Sequence, residues 1–379
     1  MKILHFISLT GIGGVQTQFS ASFLEMLKTD QRNDHIIVTK SIDQQYHLAD
    51  VSIKDLNRFK DKLHILILIL FGQNILHVYN RTSSKWLRLL KLVAVKSKLI
   101  LHERGNLWNA KVDQIELSIK NCRLADIIIC NSNATAQYIR KRCDVDKRKI
   151  RVVHNGLNDR RLLISSKLEN RHSDHTRIAF IGRIEPHKGL ISLLEAMRNL
   201  PATHYTLNVV GDGNLRDEYE DSYSTFENIN FLGRKDNILD FLTTEVDILV
   251  VPSIREPLGN VCIEAGLACV AVVAANVDGI PEIIEDGISG MLINPTLELE
   301  SNFREDGGGI IPVFVIDPQS GDLVKPKALN PSDITFAVKK LRRNDELRKQ
   351  FATNLNQKVL RNFSIEHYTN QLLKIYDEI

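Results

Sequence analysis

Two glutamates in one short stretch, Glu256 and Glu264, are the side chains best suited to binding chemistry. They lie in residues 255–266, Arg-Glu-Pro-Leu-Gly-Asn-Val-Cys-Ile-Glu-Ala-Gly, after an apolar strand that we predict at 247–251. A helix is expected to begin near Leu258, which puts Glu264 about two turns in. A carboxylate accepts hydrogen bonds from two hydroxyl groups at once, so the pair suits a sugar and a ribose. The alternative is a surface glutamate and a helix-stabilising one.

Two cations, Arg183 and Lys188, lie in an earlier turn that suits a diphosphate. They belong to residues 182–189, Gly-Arg-Ile-Glu-Pro-His-Lys-Gly, between a predicted strand and a predicted helix. A helix N-terminus offers N–H groups and the positive end of its dipole, and both side chains add charged donors. The turn therefore predicts an anion site, although two basic residues near a turn also occur by chance.

A third turn, residues 10–16, contains Gly13 and Gly14 between the first predicted strand and a helix. Glycines allow the backbone to approach a phosphate closely. A dinucleotide fingerprint is excluded, because it needs glycine at Gln16 and an acidic residue after the second strand, 36–40. A tight turn with no ligand is the alternative.

The elements that must position these residues form two alternating series of strands and helices. The first series has predicted strands at 2–8, 35–39, 75–79, 98–102, 126–130 and 150–153, and helices at 14–28, 84–96 and 132–142. The second has strands at 177–182, 205–210, 229–232, 247–251, 269–274 and 291–293, and helices at 189–199, 213–221, 237–242 and 259–267. Such alternation predicts an α/β protein with two Rossmann-like, doubly wound parallel-sheet domains that face each other across a cleft.

Composition shifts predict the domain boundaries and the end of the chain. The predicted parts are an N-terminal domain at 1–165, a polar linker at 166–176, a C-terminal domain at 177–362 and a terminal helix at 363–379. Residues 298–330 are rich in glycine and proline, which indicates an inserted loop or short hairpin. Ser364 is expected to cap the last helix.

The composition is that of a soluble globular protein, with 43% hydrophobic and 25% charged residues in 379. No apolar run reaches the roughly 18 residues of a membrane span. The longest run, 63–71, predicts a buried helix, and the short first strand is no signal peptide. Five cysteines without metal-site spacing indicate reduced core thiols and a cytoplasmic location.

The order and spacing of these motifs resemble the large retaining glycosyltransferase family 4, which has the GT-B fold. The pattern Gly-Arg-x-x-x-x-Lys-Gly is followed about 70 residues later by two glutamates eight positions apart. Weaker matching segments are Gly13-Gly14, 125–132, Asn155-Gly156, 210–213, 231–233, 278–282 and Asp286-Gly287. Two departures are Leu258, where phenylalanine is frequent in the family, and the long 298–330 insertion.

The resemblance implies a role for each matching residue. Arg183 and Lys188 would bind the donor's diphosphate, Glu256 the sugar and Glu264 the ribose. His102 would lie beside the transferred sugar, although a core or capping histidine is the alternative. By resemblance, the catalytic residues are His102, Arg183, Lys188 and Glu256, and the donor-binding residues are Gly13, Gly14, Arg183, Lys188, Gly211, Arg234, Glu256, Leu258, Gly259, Asn260, Val261 and Glu264. The helix at 363–379 would cross back onto the first domain.

The resemblance also implies the reaction and its partners. A UDP- or GDP-linked sugar would be transferred with retention to a glycan or a polyprenyl-diphosphate-linked acceptor, giving an α-linkage by a front-face mechanism. The two cations would stabilise the departing diphosphate, so neither a metal nor another cofactor is expected. Alternatives are an epimerase or a glycan phosphorylase on the same fold, or a non-catalytic module that binds nucleotide sugars or membranes.

Charge is distributed unevenly along the chain. Residues 1–172 have 29 basic and 15 acidic side chains, a balance of +14, whereas the remainder has a balance of −11. Within the basic half, residues 84–98 predict an amphipathic helix in which Trp86, Leu89, Leu90 and Val93 share one stripe. We therefore expect contact with an anionic membrane, at the inner face of the cell membrane, rather than with nucleic acid. A helix packed on the sheet with its lysines in water is the alternative.

Overall fold

The computed structural model describes residues 1–11, 14–43, 46, 51–109, 112–157, 174–299 and 312–379. Gly13, most of the predicted linker at 166–176 and part of the 298–330 insertion lie outside the described residues. Contacts divide the chain into two compact units, Met1–Asn158 with Phe363–Ile379, and Asp159–Asn362.

The first unit contains a seven-stranded parallel sheet. Its strands are β1 (Lys2–Phe6), β2 (Asp34–Thr39), β3 (Ile53–Asp55), β4 (Ile75–Tyr79), β5 (Lys98–Glu103), β6 (Ile127–Cys130) and β7 (Ile150–Val152). Their order is β3-β2-β1-β4-β5-β6-β7, so the direction of winding reverses between β1 and β4. The near-continuous apolar strand sequences are explained by helices that cover both faces of such a sheet.

Within the described part of this unit, five α-helices connect the strands. They are α1 (Gly14–Thr29), α2 (Phe59–Phe71), α3 (Trp86–Val93), α4 (Val112–Leu124) and α5 (Asn133–Cys143). The sequence analysis did not predict α4. It was also wrong about residues 63–71, because α2 buries only Ile65 and Ile69 while Phe71 is 76% exposed. A helix beside a sheet packs with one face, so an all-round apolar sequence leaves its other face uncovered.

The second unit contains a six-stranded parallel sheet. Its strands are β8 (Thr176–Ile181), β9 (Tyr205–Val210), β10 (Ile229–Gly233), β11 (Ile248–Val251), β12 (Ala271–Ala275) and β13 (Met291–Ile293). The order is β10-β9-β8-β11-β12-β13, and winding reverses between β8 and β11. The prediction of two Rossmann-like parallel-sheet domains is therefore confirmed.

Among the described residues of this unit, five helices precede the insertion and a sixth follows it directly. They are α6 (Leu190–Met197), α7 (Arg216–Ser222), α8 (Ile238–Glu245), α9 (Asn260–Leu267), α10 (Ile280–Ile283) and, after the insertion, α11 (Pro331–Arg343). α12 (Asp345–Asn362) then closes the unit. The described part of the insertion has four short strands, β14 (Leu297–Glu298), β15 (Val315–Ile316), β16 (Leu323–Val324) and β17 (Lys327–Ala328). β15 and β16 pair antiparallel, as expected for a short hairpin.

The last helix, α13 (Ile365–Asp377), belongs to the first unit. The Ser364 hydroxyl accepts a hydrogen bond from the His367 amide at 3.1 Å, which confirms the predicted cap. Tyr368 and Tyr376 lie in the same core cluster as residues of β1, β4 and β5. Within the described ranges, no helix is both long and apolar enough to cross a bilayer.

Candidate functional site

In the second unit, predicted site residues meet at the carboxyl edge of the sheet. β8 and β11 are neighbours where the strand order reverses, which is where α/β sheets bind ligands. Arg183 and Lys188 follow β8, and Glu256 follows β11. The parallel sheet thus joins two segments that lie 68 residues apart in sequence.

Gly189 allows the turn after β8 to approach the loop after β11. Its φ is +65°, and a Cβ atom there would lie 2.0 Å from the carbonyl oxygen of Pro252. Lys188 ends a single 3₁₀ turn directly before this glycine, and α6 begins directly after it. A side chain at position 189 would therefore displace Lys188 from the β11 loop.

Lys188 and Glu256 form an ion pair, with 2.5 Å between Lys188 Nζ and Glu256 Oε2. The Ser253 hydroxyl donates a second hydrogen bond to the same carboxylate oxygen at 3.3 Å. The two charged side chains are 20% and 11% exposed, so water screens their attraction only partly. The cation expected on a diphosphate and the carboxylate expected on a sugar are thus adjacent.

Asp278 holds the Glu256 loop in place and was not predicted as a site residue. Its carboxylate accepts hydrogen bonds from the Glu256 amide at 2.9 Å and the Ile316 amide at 2.7 Å. The residue is buried with φ +45°, and burial raises the pKa of its carboxyl to about 7. The sequence signals were the Asp-Gly pair after β12, which is equally typical of a turn, and the weak family match at 278–282.

Glu264 lies in α9, which begins at Asn260 rather than near Leu258 as predicted. Gly259 adopts φ +98°, which a right-handed helix excludes, and Leu258 is buried in the core. Burial raises the pKa of the Glu264 carboxyl to about 7. Val261, in the first turn of α9, is half-buried.

Three further predicted donor residues follow the strands of this unit. Gly211 has φ +141°, and a Cβ atom there would lie 1.8 Å from the Gly182 carbonyl oxygen. The Arg183 side chain is 60% exposed and contacts Glu185 at 2.8 Å. Arg234 is 79% exposed, with Nε 3.6 Å from Asp212 Oδ2. Such exposed pairs are weak, so both arginines can turn to an incoming anion.

The first unit holds the remaining predicted residues. Gly14 is the first residue of α1. His102 lies in the last part of β5, is fully buried, and has Nδ1 3.2 Å from His77 Nε2. Burial, with a smaller effect of Arg104, holds its pKa well below the ordinary value. Among the described residues its Nε2 has no hydrogen-bond partner.

Arg104 is a cation of the first unit that the sequence analysis missed. It follows β5 directly, and its Nη2 donates to Gln18 Oε1 on α1. Glu103, which is fully buried, accepts hydrogen bonds from the Thr82 hydroxyl and the Leu107 amide, each at 3.0 Å. The sequence did contain a signal for Arg104, because the charged residues Glu103 and Arg104 directly follow the predicted strand 98–102.

Two family models match the chain. The model described as glycosyl transferases group 1 matches residues 165–301, and that described as glycosyltransferase family 4 matches residues 61–161. Together they span most of the two sheets and include His102, Lys188, Glu256 and Glu264.

Similar proteins include characterised and uncharacterised bacterial ones. An uncharacterised 41.2 kDa protein in the cps region of Klebsiella pneumoniae is 28% identical over 78% of this chain and 86% of its own length. The lipopolysaccharide core biosynthesis glycosyltransferase LpsE of Rhizobium meliloti is 27% identical over 52% of this chain and 58% of its own. The crystal structure of Anabaena HepE with UDP-glucose superposes with a TM-score of 0.74 at 16% identity, covering 100% of both chains.

Proposed function

The chain belongs to the group 1 glycosyltransferases of the GT-B fold, and from that premise we propose that it transfers a hexose from a nucleotide-diphosphate sugar with retention of configuration. The observation that supports this most directly is the Lys188–Glu256 ion pair at the winding reversal of the second sheet. It offers a cation for phosphate oxygens and, on the same spot, a carboxylate for sugar hydroxyls.

The donor would lie along the carboxyl edge of the second sheet. Lys188 and the exposed Arg183 would contact the diphosphate, and Glu256 would accept hydrogen bonds from the sugar. Glu264 lies in the first turns of α9, and its ionised carboxylate would accept hydrogen bonds from the ribose hydroxyls. In this arrangement hydroxyl groups of the sugar would replace part of the Lys188–Glu256 ion pair.

The sugar would pass from the diphosphate to the acceptor without a covalent bond to the enzyme. The acceptor oxygen bonds to the anomeric carbon on the face from which the diphosphate leaves, and the acceptor's proton passes to the leaving phosphate oxygen. The α-linkage of the donor is retained in the product. Lys188 and Arg183 would stabilise the charge that develops on the diphosphate, so we propose that transfer needs no divalent metal and no other cofactor.

We further propose a glycan or polyprenyl-diphosphate-linked acceptor at the inner face of an anionic membrane. The Rhizobium relative is named for lipopolysaccharide core biosynthesis, which supports a lipid-linked glycan as the acceptor. The first unit also has a set of exposed apolar side chains on and beside α2 and α3, which we call the α2–α3 ridge. It consists of the exposed side chains Phe59, Leu63, Leu66, Ile67, Leu70, Phe71, Leu89, Leu92 and Val95.

The ridge differs from the stripe that the sequence predicted. Leu90 is buried and Trp86 packs its ring 5.5 Å from that of Phe6, so that part of α3 faces the sheet. The ends of α2 and α3 are joined, because the Ser97 hydroxyl donates to the Gly72 carbonyl at 3.1 Å. Exposed Phe71 and Val95 therefore lie at the same end of the ridge.

The positive charge around the ridge favours contact with an anionic lipid surface rather than with a second copy of the protein. Residues 56–98 contain nine lysines and arginines but one acidic residue, Asp61. Asp61 lies 3.7 Å from Lys54, so its charge is already paired. Two copies of so basic a surface would repel each other, whereas each basic residue near an anionic membrane adds about 1 kcal/mol of attraction.

A panel of UDP- and GDP-linked sugars, with and without lipid-linked acceptors, tests the transferase proposal. We expect release of the nucleoside diphosphate with one donor, and an α-anomeric signal in the product by proton NMR. A β-linked product would contradict retention. Conversion of the donor sugar without an acceptor would instead identify an epimerase, and binding without turnover a non-catalytic module.

A further inference from the structure

Three polar side chains of the first unit meet at the carboxyl edge of its sheet, around the end of β4. Asn80 follows β4, Arg104 follows β5, and Gln18 lies one turn into α1, the helix after β1. In the sheet, β4 lies between β1 and β5, directly beside the reversal of winding. The three side chains therefore lie where an α/β sheet typically binds a ligand.

Asn80 holds the turn that follows β5. It adopts φ +53°, a left-handed conformation that asparagine tolerates better than most residues. Its amide donates to the His102 carbonyl at 2.8 Å, and its Oδ1 accepts the Arg104 amide at 3.2 Å. Its carbonyl accepts a hydrogen bond from Asn106 Nδ2 at 3.1 Å. The backbone at Arg104 is thus fixed without help from the Arg104 side chain.

The side chains of Arg104 and Gln18 leave several N–H donors without partners. Arg104 is half-buried, and its Nη2 donates to Gln18 Oε1. Within the described ranges, the buried Arg104 Nε atom has no hydrogen-bond partner, and Nη1 makes no hydrogen bond. Gln18 is only 3% exposed, and its Nε2 has no partner among the described residues either. Buried donors normally have acceptors, so an acceptor from outside the chain would complete this group.

Arg104 also lacks a counter-charge. Among the described residues, no carboxylate forms an ion pair with it, and the adjacent Glu103 accepts hydrogen bonds from other groups. Arg151 of the same unit, in contrast, pairs with Glu378 at 3.1 Å. Burial lowers the pKa of Arg104, but a guanidinium stays charged at neutral pH. Because a partly buried charge without a partner is costly to folding, an anionic ligand would stabilise this position.

We propose that Arg104 and Gln18 bind a phosphate group of the acceptor. Arg104 Nε, Arg104 Nη1 and Gln18 Nε2 can donate to separate oxygens of one phosphate, and the planar guanidinium matches phosphate geometry. A diphosphate-linked lipid acceptor has such a group, whereas the diphosphate of the donor is assigned to Lys188 and Arg183. The acceptor's identity rests on the proposed function, but the anion site rests only on contacts within the first unit.

Inorganic pyrophosphate is the first probe, measured by isothermal calorimetry on the full-length protein. Arg183→Ala and Lys188→Ala are introduced first, so that the donor-side cations do not bind the probe. Adding Arg104→Gln to this protein should weaken pyrophosphate binding by about 10- to 100-fold, the range of charge-assisted hydrogen bonds. Adding Arg151→Gln instead, at an arginine that already has a carboxylate partner, should change the affinity less than 2-fold. Equal affinity with and without Arg104→Gln would overturn the proposal.

Gln18→Glu separates a ligand site from a purely structural arginine. The new carboxylate has the shape of the amide and can accept the same Arg104 hydrogen bond, so it supplies the missing counter-charge inside the protein. We expect a higher thermal midpoint together with pyrophosphate binding that is weakened about as much as in Arg104→Gln. A higher midpoint with parent-like pyrophosphate affinity would show that Arg104 is structural only, and would overturn the proposal.

Competition identifies the source of the phosphate. A water-soluble, short-chain prenyl diphosphate should displace pyrophosphate from the Arg183→Ala, Lys188→Ala protein, and the corresponding prenyl alcohol should not. Displacement by UDP or GDP, but not by the prenyl diphosphate, would assign Arg104 to the donor and overturn the acceptor assignment. Displacement by neither would leave a site for free phosphate only, which would overturn it as well.

Kinetics of the single variant give an independent readout. Arg104→Gln should raise KM for a diphosphate-linked acceptor by about 10-fold or more, while KM for the sugar donor stays within 2-fold of the parent value. Arg151→Gln should leave both constants unchanged. A rise in KM for the donor alone would contradict the proposal.

This proposal and the transferase proposal fail in different experiments. If no nucleotide sugar supports transfer while the prenyl diphosphate binds through Arg104, the transferase proposal is wrong and the anion site stands. If transfer occurs while Arg104→Gln keeps the parent pyrophosphate affinity and acceptor KM, the anion site alone is wrong.

Discussion

Lys188 Nζ lies 2.5 Å from Glu256 Oε2, so the two residues expected on the diphosphate and on the sugar form a single ion pair. The pair forms because β8 and β11 are adjacent at the winding reversal, and because Gly189 allows the two loops to meet. A change at either residue therefore alters the charge of the other's surroundings.

Lys188→Ala should lower kcat by about 100-fold or more, because the loss of one donor to a developing anion costs about 2.7–4 kcal/mol of transition-state stabilisation. Steady-state kinetics with the preferred donor measures this. Lys327→Ala is the matched control, since Lys327 forms a 2.6 Å ion pair with Glu298 on the insertion strands. Activity of Lys188→Ala within threefold of the parent protein would exclude Lys188 from the diphosphate site.

Glu256→Gln and Glu264→Gln should affect different parts of the donor. Loss of the Glu264 charge should weaken binding of the free nucleoside diphosphate, because its ribose hydroxyls lose a carboxylate acceptor. Glu256→Gln should spare that binding and lower sugar transfer. Isothermal calorimetry with the diphosphate alone, beside kinetics, checks both. Equal loss of affinity in the two variants would show that the ribose and sugar assignments are wrong.

Glu264 should also make stability depend on pH. Because burial raises its folded-state pKa to about 7, its contribution to the free energy of unfolding is present below the ordinary carboxyl pKa and is lost as pH rises through about 7. Urea unfolding should therefore show that Glu264→Gln gains stability relative to the parent protein between pH 5 and pH 8. The exposed Glu227→Gln should show no such gain. A constant difference between parent and Glu264→Gln across this range would contradict a raised pKa.

Transfer should survive chelation. Lys188, Arg183 and the N–H groups at the start of α9 would supply the positive charge that a metal supplies in other transferases, so EDTA should leave kcat unchanged. Dialysed enzyme is assayed with EDTA, and then with added magnesium or manganese. Abolition of activity by EDTA and its recovery with metal would refute the metal-free proposal.

The α2–α3 ridge should bind anionic vesicles. We expect flotation with vesicles rich in anionic lipid at low salt, and less at high salt, since charges are screened within about 8 Å at physiological ionic strength. Phe59→Ser with Phe71→Ser should abolish flotation, because these side chains are 80% and 76% exposed. Phe336→Ser, at a 67% exposed position of α11 in the other unit, is the control.

If the protein bound neutral and anionic vesicles equally, the membrane proposal would be wrong. The transferase proposal would not be affected. Concentration-dependent dimerisation that the Phe59→Ser and Phe71→Ser changes abolish would identify a second copy as the cover of the ridge instead.

The order of strands and helices could be predicted from the sequence because it depends on local patterns. Apolar runs bounded by turn residues predicted every strand of the two large sheets except β3. Ser364 predicted the start of α13, because its hydroxyl accepts a hydrogen bond from the nearby His367 amide. The site residues of the second unit were found in the same way, since Lys188 and Glu256 lie in short motifs directly after strands.

Other features were decided only by the tertiary structure. Apolar residues 63–71 predict a helix, but they do not show which of its faces is buried. The buried face is decided by how much of α2 the sheet can contact, and the other face stays exposed. Asp278 accepts hydrogen bonds from the backbone amides of Glu256 and Ile316. Because almost every residue has a backbone amide, the sequence does not indicate which amides Asp278 will bind. A hydrogen bond joins His77 to Tyr376, which lie 299 residues apart in sequence. No local pattern marks such a contact, because it exists only when the parallel sheet forms and a distant helix returns to cover it.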